Sequence, residues 1–125
     1  MQAYLIVFLG AGIGGALRHG VNLASARLFG LGFPYGTLIV NVVGSLAMGL
    51  IVESLALKSE ASQAWRLFLT TGILGGFTTF SAYSLDAVAL WERGASGLAG
   101  LYVVSSVVLA IAGVALGLLF VRAVA

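Results

Sequence analysis

The run Gly75-Gly76-Phe77-Thr78-Thr79-Phe80-Ser81 interrupts the third long apolar segment of a chain of 125 residues. A helix surrounded by lipid satisfies its own backbone, and paired glycines followed by hydroxyls at mid-depth work against that. Non-helical backbone at such a depth is tolerated only where it is buried in protein or lines a watery path. Broken helices near the midplane are also where membrane proteins coordinate ions. The stretch therefore predicts a helix break and ion handling within a membrane.

The surrounding sequence agrees. Four apolar segments, Ala3–Ser25, Tyr35–Leu57, Trp65–Leu90 and Leu98–Val121, are each near or above the ~20 residues that cross ~30 Å of hydrocarbon as a helix. The gaps carry most of the charges: Arg27 with Gly30-Leu31-Gly32-Phe33-Pro34, then Lys58-Ser59-Glu60, then Glu92-Arg93-Gly94. Pro34 precedes the second segment, where its fixed φ suits a helix start. Trp65 and Trp91 bracket the third, as interfacial aromatics do. Nothing reads as a linker or low-complexity tail, so residues 1–125 are expected to form one all-α membrane domain.

Composition narrows the chemistry. The chain is 61% hydrophobic and 8% charged, with a mean hydropathy of +1.14, whereas soluble domains carry about 25% charged residues. The absence of cysteine removes disulfides, thiol catalysis and thiolate metal sites. The single histidine, His19, excludes a histidine-cluster metal site. A net charge of +2, scattered along the chain, does not point to nucleic acid. Met1-Gln2 leads into the first segment without basic residues, so no cleaved signal peptide is expected.

Four helices enclose little space, which predicts an oligomer. Gly10 with Gly14, and Gly113 with Gly117, stand at the small-xxx-small spacing that lets backbones approach closely in lipid. The spacing fits packing within one chain as well as a subunit interface. With four spans, Lys58, Arg66 and Arg122 fall on one side and Arg18, Arg27 and Arg93 on the other. Such a balance gives the positive-inside rule nothing to act on. It predicts dual topology with antiparallel pairing, unless Arg18, inside segment one, does not count.

Gly10-Ala11-Gly12-Ile13-Gly14-Gly15 matches G-x-G-x-x-G, yet a dinucleotide fold needs an acidic residue about 20 positions on. The first acidic residue is Glu53, beyond a second membrane span. These glycines read as packing residues.

Polar groups at depth are costly and usually functional. Asn41 lies inside segment two, with two donors and an acceptor on its amide. A helix–helix hydrogen bond is the simplest use of such a residue; beside the segment-three break, a pore becomes the better reading. Segment three carries Thr70, Thr71, Thr78, Thr79, Ser81, Ser84 and Asp86. Phe80 and Tyr83 are three apart, so their rings share a helix face. Ring edges are positive, and an anion can approach them with no fixed cation to hold it too tightly to leave. From spacing alone, packing of the two rings is the better reading. In segment four, Tyr102 and Ser106 are four apart and share a face, while Ser hydroxyls there can also bond back to the preceding turn. Arg18 can snorkel or draw anions into a vestibule.

Taken together, the segment-three run, Asn41, and Gly14-Gly15-Ala16-Leu17-Arg18 resemble the CrcB/Fluc fluoride channels across all four spans. The resemblance implies an antiparallel homodimer with two pathways, through which cytoplasmic fluoride leaves passively across a bacterial inner membrane. It implies that Phe80 and Tyr83 offer ring edges to fluoride and that Asn41 donates a side-chain hydrogen bond. Ser81 would join the polar track, Tyr102 and Ser106 the segment-four hydroxyls, with Thr37 one turn before Asn41 and Arg18 in the vestibule. Backbone carbonyls of Gly75 and Thr78 from both subunits would hold a structural Na⁺. The family usually has Phe at the position of Tyr83, and commonly Thr and Glu at those of Ala82 and Asp86. Ala110 and Val114 are apolar where some members carry a hydroxyl.

Other readings fit less well. A small four-helix multidrug exporter needs a carboxylate in its first helix, and the first span has no Asp or Glu. A non-transporting subunit would not need Asn41, Phe80 and Ser106 in concert. An enzyme lacks any acid–base set here.

Overall fold

The computed structural model describes residues 1–58 and 62–125. Ser59 and Glu60 of the expected second gap lie outside the described residues. Among those described there are helices and no strands, and four spans are long and apolar enough to cross a membrane.

Helix α1 runs Gln2–Phe29 and α2 runs Tyr35–Leu57. The third span begins with α3, Gln63–Arg66, passes through a π-helical stretch Leu67–Leu74 into α4, Gly75–Phe77, and resumes as α5, Phe80–Glu92. Helix α6 covers Ser96–Val124. The second span has the bounds its sequence predicts, with Pro34 at its N-cap. The first and last are longer: Arg27 and Arg122 stand in the last turns of α1 and α6, where a cation favours the helix dipole. Gly30 and Gly94, at φ 77° and 86°, turn the chain after α1 and α5.

The break is narrower than the seven-residue run. Gly75–Phe77 remains helical, and only Thr78 (φ −86°, ψ 159°) and Thr79 (φ −154°, ψ 120°) are extended. Glycine permits a break without forcing one. The threonines complete it because their side chains offer the backbone other partners. Thr78 Oγ1 donates to the Leu74 carbonyl at 2.9 Å, and Thr79 Oγ1 accepts from Ala82 N at 3.1 Å as the cap of α5. Upstream, the Thr70 hydroxyl donates to the Arg66 carbonyl at the start of the π-helical stretch.

The break also changes the span's neighbours. Its first half packs on α1 and its second half on α6, while α2 touches each of the other three spans. Both small-residue pairs serve contacts within the chain. A Cβ on Gly14 would come within 2.8 Å of Phe77 N, and one on Gly117 within 2.6 Å of the Leu46 carbonyl. Close backbone approach substitutes here for a hydrophobic driving force that lipid does not provide. Phe8, Leu101, Ile111 and many other large apolar side chains face outward, as lipid contact requires.

Arg18 sits within α1 against the break, its Nε donating to the Gly76 carbonyl at 3.1 Å. It is therefore no flanking charge, which leaves three cations on one side (Lys58, Arg66, Arg122) against two on the other. Arg66 and Arg122 close one end, on the Leu55 carbonyl and on Glu53, each at 3.1 Å. Arg93 closes the other by donating to the Gly32 carbonyl at 2.6 Å.

Candidate functional site

Two hydrogen bonds organise the centre of the molecule. Asn41 Oδ1 accepts from Thr79 N at 2.8 Å, and Asn41 Nδ2 donates to the Thr79 carbonyl at 3.0 Å. One side-chain amide thus satisfies both backbone groups of the extended residue, which would otherwise lack partners in hydrocarbon. The second Nδ2 hydrogen stays available.

Beside this pair lies a groove of about 370 Å³. Asn41, Ser45 and Met48 of α2 form one wall, with Thr78, Thr79, Phe80 and Tyr83 from the broken span opposite. Ser106, Ala110 and Val114 of α6 complete it. The structure brings together Asn41, Phe80, Tyr83 and Ser106 from the residues singled out in the sequence. Phe80 and Tyr83 have ring centroids 5.5 Å apart and planes tilted by 46°. Ser106 is buried, and its Oγ has no protein partner among the described residues. An unpartnered buried hydroxyl costs free energy, and Ser106 is one of the residues that line this groove. Ser105 does what a membrane serine commonly does, bonding back to the Tyr102 carbonyl at 3.4 Å.

The remaining candidates are placed elsewhere. Thr37 is buried and lines a second cavity, also of about 370 Å³, with Asn22, Ser25, Asp86 and Arg93. Tyr102 is fully buried, and its hydroxyl donates to Asp86 Oδ2 at 3.1 Å, away from Ser106. Ser81 is exposed, with its Oγ 3.4 Å from Thr79 Oγ1. Ala82 and Asp86 line the second cavity, and Ala110 and Val114 give the groove an apolar end.

Thr79 is the residue that sequence reasoning undervalued. It caps α5, receives Asn41 and lines the groove. Its signal was its place directly before a helical aromatic pair, the N-cap position. Ser45 and Met48 could have been found as the residues four and seven beyond Asn41, on the same helix face.

The break also frees carbonyls. In an unbroken helix Gly75 O would accept from Thr79 N and Thr78 O from Ala82 N. Those donors go to Asn41 Oδ1 and Thr79 Oγ1. Both carbonyls are hard oxygen donors of the kind alkali and alkaline-earth cations prefer. A Cβ on Gly75 would meet only the Thr70 carbonyl, at 3.6 Å, so that side of the break is open. Two such oxygens per chain are a partial donor set for a hard cation.

The fold and this site define a multi-pass helical membrane protein built around a broken third span. The family model described as CrcB-like protein, Camphor Resistance (CrcB) matches residues 5–118. The chain is 63% identical over 118 residues to the fluoride-specific ion channel FluC of Methylobacterium nodulans, with 94% of each chain covered. It is 60% identical over 123 residues to that of Rhodopseudomonas palustris, covering 98% of this chain and 99% of the relative. Against the fluoride-specific ion channel FluC 2 of Nitrobacter hamburgensis it is 56% identical over 119 residues, with 95% and 96% covered. The chain belongs to the CrcB/Fluc family, as its segment-three run predicts.

Proposed function

We propose that the protein is a fluoride-selective channel through which fluoride leaves the cytoplasm passively across a bacterial inner membrane. The observation that carries this reading is the groove at the break. It sets Asn41 and the unpartnered Ser106 hydroxyl beside the Phe80–Tyr83 rings with no fixed cation among its lining residues. An anion there meets an amide N–H, a hydroxyl and positive ring edges, which together replace part of its hydration shell. Neutral dipoles bind weakly enough for the ion to leave. The names of the relatives agree with this chemistry.

Thr37 and the Tyr102–Asp86 pair serve the approach through the second cavity, and Ser81 extends the hydroxyl track outside the groove. Arg18 adds a positive charge beside the break while holding the Gly76 carbonyl.

The working unit in this reading is an antiparallel homodimer of dual topology, with two pathways. Its support is twofold. Phe80 is 77% exposed at mid-span, with Gly75, Ser81 and Ser84 also on the outer surface. Flanking cations differ by only one between the two sides, a weak orienting bias. A second copy crossing at the break would cover this face and bring four carbonyls, Gly75 and Thr78 from each chain, around one Na⁺. The ion would neutralise the oxygens that the breaks leave behind.

The test is release of fluoride from liposomes holding the purified protein, read with a fluoride electrode, against chloride release from matched liposomes. Rapid fluoride release with chloride retained is expected, and comparable loss of both halides removes the reading. For the topology, a reporter fused at the C-terminus is expected on both membrane faces; a single face contradicts it.

A further inference from the structure

The second cavity has one cation and one anion among its lining residues, Arg93 and Asp86. They stand two turns apart on α5, about 10 Å along its axis. They are not paired, since the only ion pair among the described residues is Arg122 with Glu53. Asp86, nearer the break, accepts from the Tyr102 hydroxyl at 3.1 Å. Arg93 stands at the mouth as the C-cap of α5, and its Nη2 donates to the Gly32 carbonyl at 2.6 Å. That bond ties the guanidinium to the turn between α1 and α2, which lines the same mouth. The acceptor is a neutral carbonyl, so the positive charge stays in place with N–H donors to spare. Further in, Thr37 is buried in the cavity wall, and Asn41 borders the groove one turn on along the same face of α2. Polar side chains thus run from the mouth towards the groove.

We infer that Arg93, held in place by Gly32, is the cation that collects fluoride at the mouth of the second cavity and directs it towards Thr37 and Asn41. The inference rests on the fluoride-channel reading above. Arg93 is exposed, so its attraction acts through water and raises the local anion concentration without trapping the ion. Asp86 offsets that charge deeper in, and no net charge holds an anion inside the cavity. The mouth lies about 20 Å along α5 from Phe80, clear of the mid-span face given above to a second copy.

The deciding variants are Arg93→Gln and Arg93→Lys in liposomes, with fluoride release followed against fluoride concentration and against added sodium gluconate. In dilute buffer at low fluoride, Arg93→Gln is expected to release roughly threefold more slowly, the effect of one charge about 6 Å away through water. At saturating fluoride native and variant should agree, and lysine should restore the native rate throughout. Gluconate at about 1 M shortens the Debye length to about 3 Å and should erase the difference. A loss that persists in gluconate, or that lysine does not repair, makes Arg93 a mere tether for the turn. That result overturns the inference and leaves the channel reading standing, as does native release by Arg93→Gln at every concentration. A second variant leaves the Arg93–Gly32 bond intact. Leu31 is 81% exposed and lines the same mouth, so Leu31→Glu should slow release as Arg93→Gln does. Unchanged release by Leu31→Glu overturns the inference even if Arg93→Gln does not fold. Native protein that loses chloride as fast as fluoride overturns the channel reading and this inference together.

Discussion

Asn41 holds Thr79 through both of its backbone groups, Oδ1 to N at 2.8 Å and Nδ2 to O at 3.0 Å, across 38 positions of sequence. The amide is thus a brace for the broken span as well as a donor beside the groove. Asn41→Leu removes both bonds and leaves Thr79 unpartnered. A stability loss of roughly 1–3 kcal/mol per orphaned group is expected. Thermal unfolding in detergent, paired with fluoride release, checks it; full stability with lost release would make Asn41 a pathway donor only.

Ser106 predicts the opposite pattern. Its buried hydroxyl has no protein partner among the described residues, so Ser106→Ala relieves a desolvation cost and stability is expected to hold or rise by up to ~1 kcal/mol. Fluoride release should nevertheless fall, because a donor facing the groove is lost. A variant less stable but equally fast would show that the hydroxyl has a structural partner instead.

Arg18 separates charge from geometry. Its Nε bond to the Gly76 carbonyl ties α1 to the last helical turn before the break. Lysine keeps the charge but not the planar fork, so Arg18→Lys is expected to slow fluoride release about tenfold, in line with loss of a charged hydrogen bond. Native release by the lysine variant would assign Arg18 to attraction of anions alone.

The glycines of α1 provide an internal control. A Cβ on Gly14 would strike the backbone around Ile73 and Phe77, whereas one on Gly12 meets nothing within 4 Å. Gly14→Ala is therefore expected to destabilise by about 1–3 kcal/mol through overpacking, and Gly12→Ala to leave stability unchanged. Unfolding midpoints of the pair settle the comparison.

How much of this was legible in the sequence depended on whether a feature was local. The four spans follow from apolar length alone, and α2 ends where Pro34 and Lys58 place its limits. The break was visible as a glycine-rich run, but its true width was not, since Gly75 keeps helical angles (φ −62°, ψ −37°) and the threonines open the chain. The π-helical turn at Leu67–Leu74 leaves no mark in an apolar run. Within the site, Phe80 with Tyr83 followed from helical spacing. The Asn41–Thr79 brace and the Arg18–Gly76 bond join separate spans, and periodicity is silent on such pairs. Tyr102 and Ser106 share a helix, yet Asp86 draws one hydroxyl away from the groove that the other faces.

The central idea, that fluoride travels along the Phe80–Tyr83 rings of the broken span, is tested most directly by Phe80→Ile. Native and variant proteins go into matched liposomes, with their assembly size compared in detergent. The variant keeps bulk but loses a positive ring edge, so fluoride release should slow sharply at unchanged assembly size. Undiminished release from a folded Phe80→Ile variant would contradict the account.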